Sequence, residues 1–390
     1  MSGAINADSA LLAPASSADA SELLASMEPQ RRLRIKGHSQ DPAEGISTLV
    51  CANLRGYEHS PADQTLVAAT GERLGAIEQM LAEHGQRIAA FPLTTSQRDM
   101  TLGAILGSGL DTAAAQRYGR FRESLIGAEF VLPDGTRAHS GGRVIKNVAG
   151  YDLAKIMAGS LGALAFVTAA SLRLYPVPRR SVRLSIEADI PHAIALIEQA
   201  HRRGIEMATC EWGQGLLELG IEGPSEAIEA AVRKLADLLE RKVGELELSE
   251  GDQGSPVLGS RLAAERESFG GMIIKVGTRL SGAAELQRAI VGAGLAERGV
   301  WMHSHLGVGI HYLGLPGNGA LYGRLDAVLR SMSVAGQRVG HLDPAGGSIF
   351  VGRRPGGLTT MRRVLESFDP HGRLVSPMRT SVIEETENPR

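Results

Sequence analysis

The sequence predicts an α+β protein built in two units. Three observations carry this. Short extended runs alternate with helical spacing after Leu33, glycines crowd between Met100 and Pro178, and cleaner amphipathic strands and helices follow from Ser181. With 390 residues the chain exceeds one ordinary core. The units are expected at 31–178 and 181–365, after a tail at 1–30 and before a C-terminal segment at 366–390.

Residues 1–30 lack a sustained period and read as a mobile tail or a short packed helix. Arg34–Ile35 and Thr65–Ala69 are extended candidates. Between Arg73 and His84, Leu74, Ile77 and Leu81 recur at helical spacing, and Gly85 closes the helix. Ala163 to Tyr175 is rich in Val, Phe and Thr and reads as a strand, stopped by Pro176 and Pro178. The Pro/Arg-rich break at 176–180 marks the boundary. Beyond it, SVRLSIEA alternates as a half-buried strand, and PHAIALIEQAHRRG is a helix with Pro191 at its start and Gly204 at its end. Strand Leu216–Ile221 precedes a helix capped by Ser225, and further strands are expected at 272–276, 300–310 and 348–351, forming an antiparallel sheet.

Charge and composition exclude several functions. Lys+Arg number 41 against 43 Asp+Glu, a net charge of −2, so the positive footprint of a nucleic-acid binder is missing. No run approaches the roughly 18 apolar residues of a membrane span, and the Ala/Ser-rich start has no basic region, so a cytoplasmic, soluble protein is expected. Cys51 and Cys210 stand far apart in no C-x-x-C pattern, which offers neither a disulfide framework nor an iron–sulfur site. No G-x-G-x-x-G, G-K-[ST] or H-E-x-x-H occurs. Ala158-Gly159-Ser160-Leu161-Gly162 imitates a nucleophile elbow. An elbow needs strand, turn, then helix, whereas here helix-like 152–157 precedes the turn and a β-rich run follows, so Ser160 is expected to serve the turn or a cofactor.

The 48 glycines suggest either many tight turns or backbone that approaches a ligand closely. TLGAILGSG places Gly103, Gly107 and Gly109 beside small residues, where bare N–H groups suit a diphosphate. RYGRFRESLIGAEFVLPDG follows, with Tyr118, Gly119, Leu125 and Gly127. KNVAGYDLAKIMAGSLGALAFVT then offers Lys146, Asn147, Tyr151, Asp152, Gly159, Gly162 and Val167. Lys146 and Asp152 serve either a cofactor or one another as an ion pair.

This series resembles the FAD-binding domain of the vanillyl-alcohol oxidase/PCMH flavoprotein superfamily, and within it the FAD-binding subunits of bacterial glycolate oxidase, through the KNVAGYDL and MAGSLG runs. The similarity covers about Leu33 to Pro178, with an echo at Phe368-Asp369-Pro370 and Ser376 to Arg379. It implies a PCMH-type FAD-binding domain of two α+β subdomains, an α+β cap domain over the flavin, and a C-terminal segment returning to the FAD domain. FAD contacts are implied for Lys36, Gly37, His38, Ser39, Thr101, Leu102, Gly103, Gly107, Tyr118, Gly119, Leu125, Gly127, Lys146, Asn147, Tyr151, Asp152, Gly159, Gly162 and Val167. In Arg34 to Ser39 the phosphate loop matches the family in part and is one residue short. Its His38 is either a covalent flavin attachment point or, more simply, a polar contact.

The second unit carries His303, His305 and His311, which share one face if 299–315 is a single strand. His311 would then lie about 20 Å beyond His305, too far for one ion to hold all three unless Gly307 or Gly309 bends the chain; no metal is assigned. The resemblance implies oxidation of a 2-hydroxy acid such as glycolate, with His305 or His311 as base and Arg120, Arg122 or Arg379 holding the carboxylate. It also implies a second flavoprotein subunit and an iron–sulfur subunit as partners, with the complex peripheral to the inner membrane through them. The other reading is a non-catalytic FAD-binding subunit supporting a sister flavoprotein.

Overall fold

The computed structural model describes residues 10–37, 45–88, 95–109, 111–142, 152–250, 269, 271–316, 321–339 and 348–387. Four sheets organise them. The N-terminal region is packed: Leu11–Leu12 joins a parallel three-stranded sheet with Ser47–Val50 and Leu33–Lys36. Helix Ser17–Ala25 buries Ala20 and Leu24 against Leu33, Leu49, Val131 and Phe166. Of residues 1–30, expected as a tail or a short packed helix, the described residues 10–30 contribute a strand and that helix; Ser16 accepts from the Asp19 amide as its cap.

A five-stranded antiparallel sheet runs in the order Tyr57–Ser60, Thr65–Ala69, Phe166–Arg173, Leu125–Val131, Arg137–Gly141. A two-stranded ribbon beside it pairs Gln86–Arg87 with Tyr175–Pro176. The core under the larger sheet takes Leu74, Ile77 and Leu81 from helix Leu74–Ala82, and Leu102, Ile105 and Leu106 from helix Leu102–Ser108. Leu365 and Val382 of the C-terminal helices Leu358–Phe368 and Pro377–Glu387 enter the same core. Leu374 pairs with Leu33, whose amide donates to the Arg373 carbonyl at 2.8 Å, so the chain's end is stitched to its beginning.

The second unit is a nine-stranded sheet whose strand pairs are all antiparallel. Its order is Glu247–Glu250, Arg180–Glu187, Leu216–Gly223, Thr209–Gly213, Trp301–His305, Ile310–Leu315, Met272–Gly277, Ala335–Val339, Phe350–Gly352. Strand alternation sorts its side chains. Val182, Leu184, Trp212, Leu217, Leu219, Ile274, Val276 and Met302 pack under helices Ile190–Arg202, Ser225–Leu238 and Gly282–Gly292. The opposite face carries Glu211, Glu218, Glu222, Lys275, His303, His305 and Tyr312 and meets the first unit. Tyr312 donates to the Asp111 carbonyl at 2.9 Å, and Arg87 pairs with Glu222 at 2.7 Å.

The strand expected over 300–310 is two strands. The chain turns through Leu306–Val308 and then Gly309, at φ +66° in the left-handed region, into a hairpin. Ser304 faces His311 across it, so His311 lies on the helix-packed face, opposite His303 and His305. The three histidines therefore do not share a face.

Candidate functional site

Three glycine-bearing segments interleave between the small parallel sheet and the five-stranded sheet. Strand Leu33–Lys36 ends in Gly37, where a Cβ would stand 2.7 Å from both Thr101 Oγ1 and the Ala104 Cβ. Thr101 caps helix Leu102–Ser108 by accepting from the Ala104 amide. That helix stops at Gly109, φ +62°, directly against Gly159, φ +81°; a Cβ on Gly109 would sit 2.8 Å from the Gly159 Cα. The Gly159 and Leu161 amides donate to the carbonyls of Leu106 (2.8 Å) and Gly107 (2.9 Å). Gly162, φ +71°, crosses Ile35, where a Cβ would stand 3.0 Å from the Ile35 Cβ. A Cβ on Gly107 would meet open space, leaving bare helix backbone beside the crossing.

The physical role expected of Gly103 needs correction. Its amide donates to the Thr70 carbonyl and that of Leu102 to the Glu72 carbonyl, both at 2.8 Å. These amides are spent, and Gly103 lacks a Cβ because Thr70 and the Cys51 sulfur press on it at 3.1 Å. Cys51 donates toward the Gly37 and Thr70 carbonyls, and burial raises its thiol pKa, which makes it a packing group.

The remaining predicted contacts divide. Lys36 and Thr101 border the crossing, and Leu102 is buried beneath it. Leu125, Gly127 and Val167 lie within the five-stranded sheet; the Val167 carbonyl accepts from the Thr70 hydroxyl at 2.7 Å. Gly119, φ +80°, makes the turn between two short helices. Tyr118 lies at the junction of the two units, donating to Glu222 at 2.6 Å and accepting from Arg87 at 2.9 Å. Burial first, then the Glu222 charge, pushes its phenol up to about 12. Asp152 pairs with Lys155 at 3.2 Å. His38, Ser39, Lys146, Asn147 and Tyr151 lie outside the described residues, so neither the covalent-attachment alternative nor the Lys146–Asp152 pair has geometry here.

A cleft of ≈ 200 Å³ opens where Gly109 and Gly159 face the nine-stranded sheet. Arg120 and Arg122 line it from the first unit, and Lys275 and Gln337 from the sheet. Asp111 sits at its base, 2.6 Å from the Lys275 ammonium and 3.9 Å from Arg120. Sequence reading missed Lys275, Gln337 and Asp111. The only signal for Lys275 was period-two alternation, which puts it on the polar face opposite Ile274 and Val276, and Asp111, outside any strand, carried none.

Arg379 does not reach this cleft. It pairs with Asp369 at 3.1 Å and donates to the Asp369 carbonyl at 3.2 Å, locking helix Pro377–Glu387 to the preceding turn. The carboxylate-holding role expected of it is therefore withdrawn. His311 is withdrawn as base for a similar reason: its ring nitrogens bond Ser304 (2.9 Å) and Thr278 (2.7 Å) on the helix-packed face. His303, His305 and Glu211 are buried together, with His303 Nε2 2.9 Å and His305 Nε2 3.8 Å from Glu211 Oε2. One ligand atom from each lies within 4.8 Å of the others, a donor set that suits a divalent cation. This set replaces the linear trio considered from sequence.

Burial lowers the His311 pKa to about 4, so the folded protein holds it neutral. As pH falls below about 6.5 the unfolded chain binds a proton that the folded chain refuses, and stability drops. The expected loss from this group at pH 5 is about 2 kcal/mol. Urea titrations at pH 7 and pH 5 check this: the His311→Asn variant should lose less stability than wild type over that interval. Equal losses would contradict it.

The bare crossing, with a cationic cleft beside it, fits an anionic dinucleotide lying along the Gly107–Gly109 backbone. The family model described as "FAD binding domain" matches residues 9–141. The Escherichia coli protein "Glycolate oxidase subunit GlcE" is 28% identical over 173 residues, covering 44% of this chain and 49% of that protein. A "D-lactate dehydrogenase" of Archaeoglobus fulgidus is 27% identical over 187 residues, 48% of this chain and 41% of its own length. The chain thus spans about half, or less, of the length of these curated relatives. Among solved structures, an alkyldihydroxyacetonephosphate synthase superposes over 93% of this chain and 75% of its own, with TM-score 0.63 and 14% identity, which is a likeness of fold. Among the described residues no helix is long and apolar enough to cross a membrane. The fold is the PCMH-type FAD-binding fold, residues 9–141 match the FAD-binding domain that makes FAD the cofactor, and over less than half of its length the chain is similar to glycolate oxidase subunits.

Proposed function

We propose that this chain is an FAD-dependent oxidoreductase subunit that oxidises a 2-hydroxy acid such as glycolate. The observation that carries the reading is the cleft itself: the Gly109–Gly159 crossing of the FAD-binding unit faces a wall of polar side chains on the nine-stranded sheet, and Arg120 and Arg122 stand at its rim. When bound, FAD supplies the two-electron acceptor for the C2 hydride. The chain's own residues supply position and polarity. Arg120 and Arg122 draw the carboxylate, and the Gly109 and Gly159 backbones let reactants lie flat against the main chain. Of the two base candidates His305 is the one left, on the sheet face that carries Lys275 and Tyr312 and with Glu211 beside it to balance an imidazolium.

A second reading is favoured by a specific observation. His305 is 2% exposed and does not line the cleft, so the chain would hold FAD while a sister flavoprotein subunit turns over. In either case the relatives' designation as glycolate oxidase subunits supports a complex. We infer a second flavoprotein and an iron–sulfur subunit beside this chain, in the cytoplasm and peripheral to the inner membrane through those partners. The test is an anaerobic visible spectrum of the purified chain with added glycolate or D-lactate. A bound flavin that bleaches supports the enzyme, and a bound flavin that stays oxidised supports the accessory subunit. A folded, colourless protein that takes up no FAD overturns both.

A further inference from the structure

The cations of the cleft have unequal surroundings. Lys275 reaches from strand Met272–Gly277 on the second unit, and its ammonium is ion-paired with Asp111 at 2.6 Å and donates to the Gly109 carbonyl at 3.1 Å. An ammonium has three donors, so the Gly109 bond does not exhaust it. The guanidinium of Arg120 faces the Asp111 carboxylate at 3.9 Å, while the side chain is half-exposed. Gln337, which stands opposite Lys275 on the neighbouring strand, adds an amide group to the same cleft.

Asp111 is 5% exposed and touches both cations, so it fixes where they point. Glu123 pairs with Arg122 at 3.5 Å, so Asp111 alone faces Lys275 and Arg120, and one carboxylate between two cations leaves an excess of positive charge in the cleft. A small anion entering it would meet a charge-assisted donor from each unit.

We propose that Lys275 is the specificity-determining anchor for the substrate carboxylate, with Arg120 as its counterpart on the first unit and Asp111 as the residue that positions both. This rests on the 2-hydroxy-acid reading above and names the seat within that site. Because the seat takes one donor from each unit, an acid bound there bridges the units. Lys275 touches the Gly109 carbonyl, so the seat adjoins the backbone along which the cofactor's phosphates would lie, and FAD retention by a Lys275 variant tells the two roles apart. A short 2-hydroxy acid, with its carboxylate adjacent to the oxidised carbon, matches a cleft of ≈ 200 Å³.

The test uses the full chain loaded with FAD, titrated with glycolate and with oxalate, a dianion that has no hydride to give. The readouts are the perturbation of the flavin absorption band and the amount of FAD retained. Lys275→Met should keep its FAD and weaken oxalate and glycolate binding roughly 10- to 100-fold, the worth of one charged hydrogen bond. Lys275→Arg should recover most of that loss. Asp111→Asn, which leaves both cations in place but unaligned, should weaken binding less and make it more sensitive to salt. If Lys275→Met fails to fold, Gln337→Leu together with Arg120→Gln tests the same seat from its other sides, with the same expected weakening. Undiminished oxalate binding in these variants would overturn the proposal. So would loss of FAD from Lys275→Met, because it would assign the lysine to the cofactor's phosphates. A wild-type flavoprotein that binds neither acid would instead sink the 2-hydroxy-acid reading on which the seat depends.

Discussion

Gly109→Val will cost the protein its FAD. The residue sits at φ +62°, a conformation that a β-branched side chain adopts only under strain, and its Cβ would stand 2.8 Å from the Gly159 Cα. The two segments cannot simply separate, because the Gly159 and Leu161 amides are bonded to the carbonyls of Leu106 and Gly107. Relief must come from the helix end or the 158–162 turn, both of which border the cleft. We expect at least a 100-fold loss of FAD affinity by flavin fluorescence titration, about 3 kcal/mol, with the far-ultraviolet circular dichroism largely kept. Gly204→Ala is the control: φ there is +69°, but a Cβ would meet nothing within 4 Å. It should cost about 1 kcal/mol of stability and leave FAD binding unchanged. Equal FAD affinity for wild type and Gly109→Val would show that the crossing is not part of the cofactor site.

The second large effect is expected at the junction of the two units. Glu222 accepts from two nitrogens of Arg87, at 3.0 and 2.7 Å, and from the Tyr118 hydroxyl at 2.6 Å. The Arg87 and Glu222 side chains are only 9% and 1% exposed, so this pair escapes the screening that weakens surface ion pairs. Removing the carboxylate leaves a buried guanidinium without the anion it faces. Glu222→Ala should therefore destabilise the protein by about 3–5 kcal/mol. Tyr118→Phe, which removes one hydrogen bond and keeps the ring over Arg87, should cost about 1 kcal/mol. Chemical denaturation of wild type and both variants at neutral pH measures both. A loss below about 1 kcal/mol for Glu222→Ala would mean that the units hold together without this contact.

Much of the fold was legible because local rules agree with the final packing. Leu74, Ile77 and Leu81 recur at helical spacing, and they are the buried residues of helix Leu74–Ala82. Pro191, read as the start of its helix, stands in the first turn of helix Ile190–Arg202 with its fixed φ. The glycine series also announced itself, since bare backbone at Gly109 and Gly159 is a property of sequence.

The errors came where geometry depends on partners distant in sequence. Gly103 has the composition of a phosphate-binding turn, but the Thr70 and Glu72 carbonyls, far earlier in the chain, take up the amides. The histidine trio looked linear because period two was extended through Gly307 and Gly309. A short 3-10 turn and one left-handed glycine reverse the chain, and His311 changes face. Arg379 gave no local sign that Asp369 would claim it. Lys275 and Asp111 carry no motif, lie far apart in sequence, and acquire meaning only when the two units face each other.

The central claim is that FAD binds where the segment from Thr101 to Gly109 crosses residues 158–162. The most direct measurement is the stoichiometry of FAD bound to the full chain after saturation with FAD and removal of the excess, compared between wild type and Gly109→Val. One FAD per wild-type chain and almost none in the variant is the result expected. A folded wild-type chain that retains no FAD, or a variant that retains as much as wild type, would contradict it.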